Sequence, residues 1–132
     1  LNLHLHLMRL LLFWKPLIWL PVICSGLFLP ANELPVQPFL KIPHFDKIIH
    51  FGLFFGLCLL LLGSFKRLNT QHYFWAPFIS LIAGAVLETV QHLISHTRSS
   101  NLYDFLANAA GVVASIVFYA LFVSGKKWEA IF

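Results

Sequence analysis

The chain has 132 residues, 59% of them hydrophobic and 11% charged, with a formal net charge of +4. Ordinary soluble domains carry about 25% charged residues, so this composition excludes a water-soluble globule and points to a lipid-embedded one. Its lysines and arginines lie in short stretches between apolar runs, with no basic stripe and no aromatic platform. That pattern excludes a nucleic-acid surface and reads the charge as membrane topology.

The chain opens on Leu1 and its one methionine is Met8, which points to an upstream extension or a start other than methionine. Residues 1–7 alternate as L-N-L-H-L-H-L, a pattern nearer to a strand than to a membrane helix, and no function is assigned to His4 or His6. The first apolar span covers residues 10–29 and is interrupted by Lys15-Pro16 and by Pro21. Proline removes a backbone donor and kinks a helix, which neighbouring helices can accommodate. A cleaved signal peptide competes for this segment. No small-x-small site follows it, however, and Pro-Val-Ile-Cys before Ser25 is a poor lipoprotein box, so a retained first transmembrane helix is expected. Cys24 and Cys58 both lie in apolar runs and read as small buried hydrophobes in preference to a disulfide.

Four prolines between Pro30 and Pro43 argue against regular helix and for an extended segment on the membrane surface. The phrase His44-Phe45-Asp46-Lys47-Ile48-Ile49-His50-Phe51 opens the second span, residues 47–65. Asp46 is placed to cap the helix N-terminus, where a carboxylate meets free amide donors and the helix dipole. His50 follows one turn later on the same face, and a carboxylate neighbour would make it a candidate proton carrier. Gly52 and Gly56 form a G-x-x-x-G pattern that can mark close helix contact. After the polar turn Lys66–His72, the third span runs over residues 73–95 and the fourth over 102–123, stopped by Gly125-Lys126-Lys127. The expected fold is therefore all-α: a single domain over residues 1–132, an integral-membrane four-helix bundle with short loops.

The densest polar stretch runs from Glu88 to Gly111. At helical spacing Glu88, Gln91, His92 and Ser95 share one face, with Gly84 one turn earlier. Asp104, Asn108, Gly111 and Ser115 form a second narrow stripe, and Arg98 lies in the loop between the two. Gly84, Gly111 and Ser115 read as packing residues that let backbones approach. Ionisable groups inside a membrane are instead a functional hypothesis by default, and Glu88, Arg98 and Asp104 are expected to form one paired network.

With four spans, the two termini and the middle loop share one side, which holds Arg9, Lys66, Arg67, Lys126 and Lys127. The positive-inside rule then places both termini in the cytoplasm, in a bacterial inner membrane, and gathers every polar phrase at the outer leaflet.

In this order the residues resemble the VanZ-like membrane proteins. The match is carried by D-K-x-x-H-F (Asp46, Lys47, His50, Phe51), E-x-x-Q (Glu88, Gln91), Arg98, and D-x-x-x-N-x-x-G (Asp104, Asn108, Gly111), within residues 44–123. Ser115 stands where members of that family often have a further glycine. The resemblance implies a small multi-spanning protein of the bacterial envelope. It also implies a link to glycopeptide resistance of the teicoplanin type, as known for the family's namesake.

Three functional classes follow. In the first, a binding protein engages an anionic lipid, a lipid-linked envelope precursor or a glycopeptide. Its site would be Asp46, Lys47, His50, Glu88, Gln91, Arg98, Asp104 and Asn108, with Arg98 and Lys47 meeting phosphate and Gln91 and Asn108 orienting a polar headgroup. In the second, an integral-membrane enzyme uses Glu88 or Asp104 as general base, His50 as proton shuttle and Arg98 to stabilise developing negative charge. The third is a metal site from His50, Glu88, His92 and Asp104. No spacing motif supports it, so no metal and no cofactor is expected. Beside these stands a purely structural alternative, in which the polar residues are interhelical hydrogen-bonding glue.

Overall fold

The computed structural model describes residues 2–28, 45–94 and 102–132, and all the regular structure among them is helical. Helix α1 spans Asn2–Leu11 and α2 spans Trp14–Phe28. Helices α3 (Phe45–Arg67), α4 (His72–Ile94) and α5 (Leu102–Phe118) follow. A π-helical turn, Tyr119–Val123, prolongs α5, and a short 3-10 turn, Lys127–Ile131, closes the chain. The all-α expectation therefore holds.

Among the described residues, three stretches are long and apolar enough to cross a membrane: Lys47–Arg67, His72–Leu93 and Leu102–Val123. At 1.5 Å per residue, the 23 residues of α3 or of α4 extend about 34 Å, enough for a hydrocarbon core of ~30 Å. Their outer faces carry Trp75, Phe78, Ile82, Val86, Leu106, Val113, Val117 and Leu121, all exposed. A monomer in water does not tolerate so large an apolar surface, whereas lipid tails solvate it without cost. The chain is a membrane protein.

The expected span over residues 10–29 takes a different form. Helices α1 and α2 meet at a 46° bend and pass as one membrane crossing only if taken together. The strand-like reading of residues 1–7 is also corrected: residues 2–11 are helical. Leu3, Leu7, Leu10 and Leu11 fit the helical i, i+4, i+7 pattern as well as the alternation fits a strand. An isolated strand in apolar surroundings would leave its backbone groups unpaired, which the helix avoids. Pro16 stands in the first turn of α2, where no intrahelical donor is needed, and Pro21 is accommodated inside it.

Helix α3 is the centre of the bundle. It packs along α5 most extensively and also against α4 and α2. Phe54, Leu57, Cys58, Leu61 and Leu62 are buried from α3, Ala76 from α4, Val112 from α5 and Ile23 from α2. Trp19 of α2 donates its indole N–H to the Leu53 carbonyl at 2.8 Å, tying α2 to the middle of α3. Cys24 and Cys58 are both free thiols, as the sequence suggests.

Side-chain pairs fix the directions. Lys47 near the start of α3 meets Asp104 near the start of α5, and Lys66 at the end of α3 meets Ser124 and Glu129 beyond the end of α5. Helices α3 and α5 thus run parallel, and α4 runs back between their opposite ends. The contact between α3 and α5 is backbone-close. A Cβ added at Gly111 would stand 2.3 Å from the Phe51 carbonyl oxygen and 3.0 Å from the Phe55 nitrogen. The G-x-x-x-G pair divides: Gly56 lies under the Trp19 ring, while a Cβ at Gly52 would meet nothing within 4 Å.

Replacing Gly111 by Val is expected to separate α3 from α5 and lower stability by about 1–3 kcal/mol, the usual range for overpacking. Gly52→Val should leave it nearly unchanged. Denaturation midpoints in mixed micelles compare the two, and equal midpoints would contradict the close approach.

Candidate functional site

Each polar residue reaches the site because of its position along an otherwise apolar helix. Lys47 and His50 occupy the first turns of α3 and Asp104 the first turn of α5, with Asn108 one turn further on. Glu88 and Gln91 come from the far end of α4, which runs antiparallel to both. His50, Glu88, Gln91, Asp104 and Asn108 are all buried, a costly placement unless each polar group finds a partner.

The partners are specific. Lys47 Nζ stands 2.5 Å from Asp104 Oδ1, with the lysine side chain 23% exposed and the aspartate 4%. His50 Nδ1 lies 2.9 Å from Asn108 Oδ1 and 3.1 Å from Glu88 Oε1. Asn108 donates from Nδ2 to the same Glu88 oxygen at 3.3 Å. Since the amide gives its hydrogen to Glu88, its oxygen faces His50 as an acceptor, and neutral His50 therefore carries its proton on Nδ1. Asn108 bridges the imidazole and the carboxylate. The other carboxylate oxygen, Glu88 Oε2, is buried and has no hydrogen-bond partner among the described residues.

The sequence brings most of these residues to one place as expected, with one correction, at His92. His50 is engaged by Glu88 and Asn108 across the bundle; Asp46 belongs to the first turn of α3, and its side chain lies outside the described residues. Lys47 pairs with Asp104, a contact the sequence did not foresee. Arg98 itself, and Ser95, lie outside the described residues, so the Glu88–Arg98–Asp104 network is seen only through its two acids. His92 is exposed, and so turns away from the face it was expected to share with Glu88 and Gln91. The reason is geometric. At 100° per residue His92 is displaced from the Gly84–Glu88–Gln91 line far enough for a face this narrow to exclude it.

The opposite end of the bundle holds a second polar group. A cavity of about 380 Å³ is lined there by Lys66, Arg67, Lys126, Lys127, Tyr119 and Glu129. Glu129 pairs with Lys66, accepts the Tyr119 hydroxyl at 3.2 Å and accepts the Gly125 amide at 2.9 Å. The Lys66 ammonium beside Glu129 holds its carboxyl below the usual carboxylate range. The sequence reading gave Glu129 no role. Its one signal was being the last of only five acids, placed two residues after a lysine pair.

The chain matches no family model, no curated protein and no solved structure.

Asn108→Ala should remove a buried bridge and cost about 1–3 kcal/mol, the range for unpairing a buried polar group. His92→Ala, at an exposed position, should change stability by no more than about 0.5 kcal/mol. Urea or SDS titration of the purified protein in detergent checks both, and similar values for the two would contradict the bridge.

Proposed function

We propose that this chain is a VanZ-like membrane protein of the bacterial envelope. In this reading it engages the anionic headgroup of a lipid, or of a lipid-linked envelope precursor, at the end of the bundle that holds Lys47. The observation that carries it is the Lys47–Asp104 ion pair, which has its lysine side chain 23% exposed at the edge of an otherwise buried polar cluster. Asp104 holds the lysine beside the N-termini of α3 and α5, with the acceptor Glu88 Oε2, unfilled among the described residues, in the same cluster. Helix N-termini favour anions, a lysine offers a compact positive charge to phosphate, and a carboxylate oxygen accepts from a ligand hydroxyl or amine. The acids are too many for a bare anion cradle. They orient Lys47 and His50 and read the polar part of the headgroup. On sequence grounds Arg98 joins Lys47 as a second cation. The teicoplanin link belongs to the resemblance and makes a glycopeptide phenotype the natural cellular assay.

A catalytic reading has its own support in the 3.1 Å contact between His50 and Glu88, the arrangement of a histidine whose proton a carboxylate can hold or take. Asp104 would then serve as electrostatic partner, with Lys47 and Arg98 meeting developing negative charge. The structural alternative is supported by how many of the polar groups already satisfy one another.

The proposal includes four membrane crossings, α1 and α2 making one bent span, with both termini cytoplasmic. Support comes from the gathering of Lys66, Arg67, Lys126 and Lys127 at one end of the bundle. In a background with Cys24 and Cys58 replaced by serine, Tyr103→Cys should label from outside intact cells. Lys127→Cys should label only after permeabilisation. The reverse pattern would put the cluster on the cytoplasmic face.

Lipid bound to the purified protein, identified by mass spectrometry, tests the ligand. Anionic lipid is expected on the wild type and to fall at least tenfold in Lys47→Ala. An equal fall in Lys126→Ala would move the lipid to the opposite end and remove the reading. Glu88→Gln separates binding from catalysis: retained phenotype with retained lipid fits binding, lost phenotype with retained lipid fits chemistry. If the protein carries no anionic lipid and Lys47→Ala keeps the phenotype, the cluster is packing glue.

A further inference from the structure

The cluster has a feature that headgroup binding leaves unused: its donors converge. One atom each from His50, Glu88 and Asp104 lie within 4.8 Å of one another, and all three residues are buried. Donor atoms sharing an ion at ~2.1 Å stand roughly 3.0–3.4 Å apart in tetrahedral or octahedral placement. The His50 Nδ1 to Glu88 Oε1 separation, 3.1 Å, already meets that spacing, and so nearly does Asn108 Oδ1 at 2.9 Å from the same nitrogen. The Asp104 oxygen lies within 4.8 Å of the other two donors and has to move closer to complete the set.

A second observation points to an ion. Glu88 is left with a buried oxygen, Oε2, that no donor among the described residues satisfies. A carboxylate with one filled and one empty oxygen can chelate a cation through both.

We propose that His50, Glu88 and Asp104, assisted by the amide oxygen of Asn108, bind one divalent ion of the zinc or manganese class. The ion takes the place of the hydrogen that His50 Nδ1 shares with Asn108 and Glu88, and the neutral imidazole then carries its one hydrogen on Nε2, with no net release of a proton. Imidazole with carboxylate oxygens and no thiolate suits zinc, manganese or cobalt; magnesium, which prefers water and oxygen donors, suits it less. Lys47 stays on Asp104, at the exposed side of the cluster. The excess positive charge of a divalent ion beside Lys47 is then one that a phosphate can match. The inference in this sense deepens the headgroup reading and rests on the same cluster, yet the ion's binding is measurable with no lipid present.

The test uses the full chain in neutral detergent, stripped with a chelator and then titrated with Zn²⁺ or Co²⁺. One ion per chain is expected by elemental mass spectrometry, with a visible cobalt ligand-field band and no comparable uptake of Mg²⁺. Glu88→Gln and His50→Asn, which keep the shape and most hydrogen bonds, should each weaken binding at least tenfold. A variant with His4, His6, His44, His72, His92 and His96 all replaced by Gln should keep the ion and the cobalt band. Loss of the ion in that variant, less than one ion on the wild type, or unchanged affinity in Glu88→Gln and His50→Asn would overturn the site. If either single variant does not fold, the six-histidine variant decides alone: the ion retained supports the site, the ion lost overturns it. Capture of anionic lipid with and without chelator keeps the two ideas apart. Lipid bound through Lys47 on a protein that takes no metal overturns this inference and leaves the headgroup reading. Metal bound with no lipid does the opposite.

Discussion

The backbone contact between α3 and α5 at Gly111 sets the geometry of everything polar in this protein. With the glycine against the Phe51 carbonyl, the two helices lie closer than side-chain packing normally allows. Asn108 is one turn before Gly111 on the same face and Asp104 one turn before that, so both are carried toward α3 at the heights of His50 and Lys47. A bulkier residue at position 111 would widen the seam by at least the size of a methyl group. The short contacts of Asn108 and Asp104 would lengthen with it. The amide bridge and the ion pair thus depend on a residue that itself offers no polar side chain.

Given that seam, the low dielectric decides the composition of the cluster. Glu88 enters from α4 on the buried side and cannot reach water, so it must be met by donors. Asn108 and His50 supply them from two different helices, and the amide is suited to the middle position because it donates and accepts at once. An apolar residue at 108 would leave both Glu88 and His50 short of a partner, and a carboxylate there would place two acids face to face. Asp104 sits one turn nearer the membrane edge and takes a lysine whose long stem lets the charge reach the exposed side. Depth thus sorts the chemistry, with the neutral bridge inside and the full ion pair toward the surface.

Much of this was legible in the sequence. Apolar runs gave the three long helices nearly to their ends, because a helix that must cross a membrane has length and composition in common. The polar stripes on α4 and α5 were correct for Glu88, Gln91, Asp104 and Asn108, since helical periodicity alone fixes which residues share a face. Partner choice was not legible. Periodicity says nothing about how three helices are rotated and shifted against one another. The ion pair of Lys47 with Asp104 and the contacts of His50 with Glu88 and Asn108 were therefore not foreseen. The convergence of His50, Glu88 and Asp104 was weighed, with His92, as a metal site and set aside, because donors that come from three helices leave no spacing motif. The amino-terminal region failed in another way. Leucine at alternate positions also recurs at i, i+4 and i+7, and only the need to pair backbone groups internally separates the two periods.

The two ends of the bundle show why the buried cluster, and not the basic cavity, is the place to look for chemistry. At the basic end four cations face Glu129 across an open cavity, and the surplus positive charge is screened by water and by lipid phosphates without further structure. Such an arrangement orients a protein in a membrane and tolerates exchange of one lysine for another. At the other end the groups are buried, nearly balanced in charge and held by distances of 2.5–3.3 Å. Adding or removing a single charge there changes the balance with little solvent to absorb it, whereas in the basic cavity solvent carries the difference.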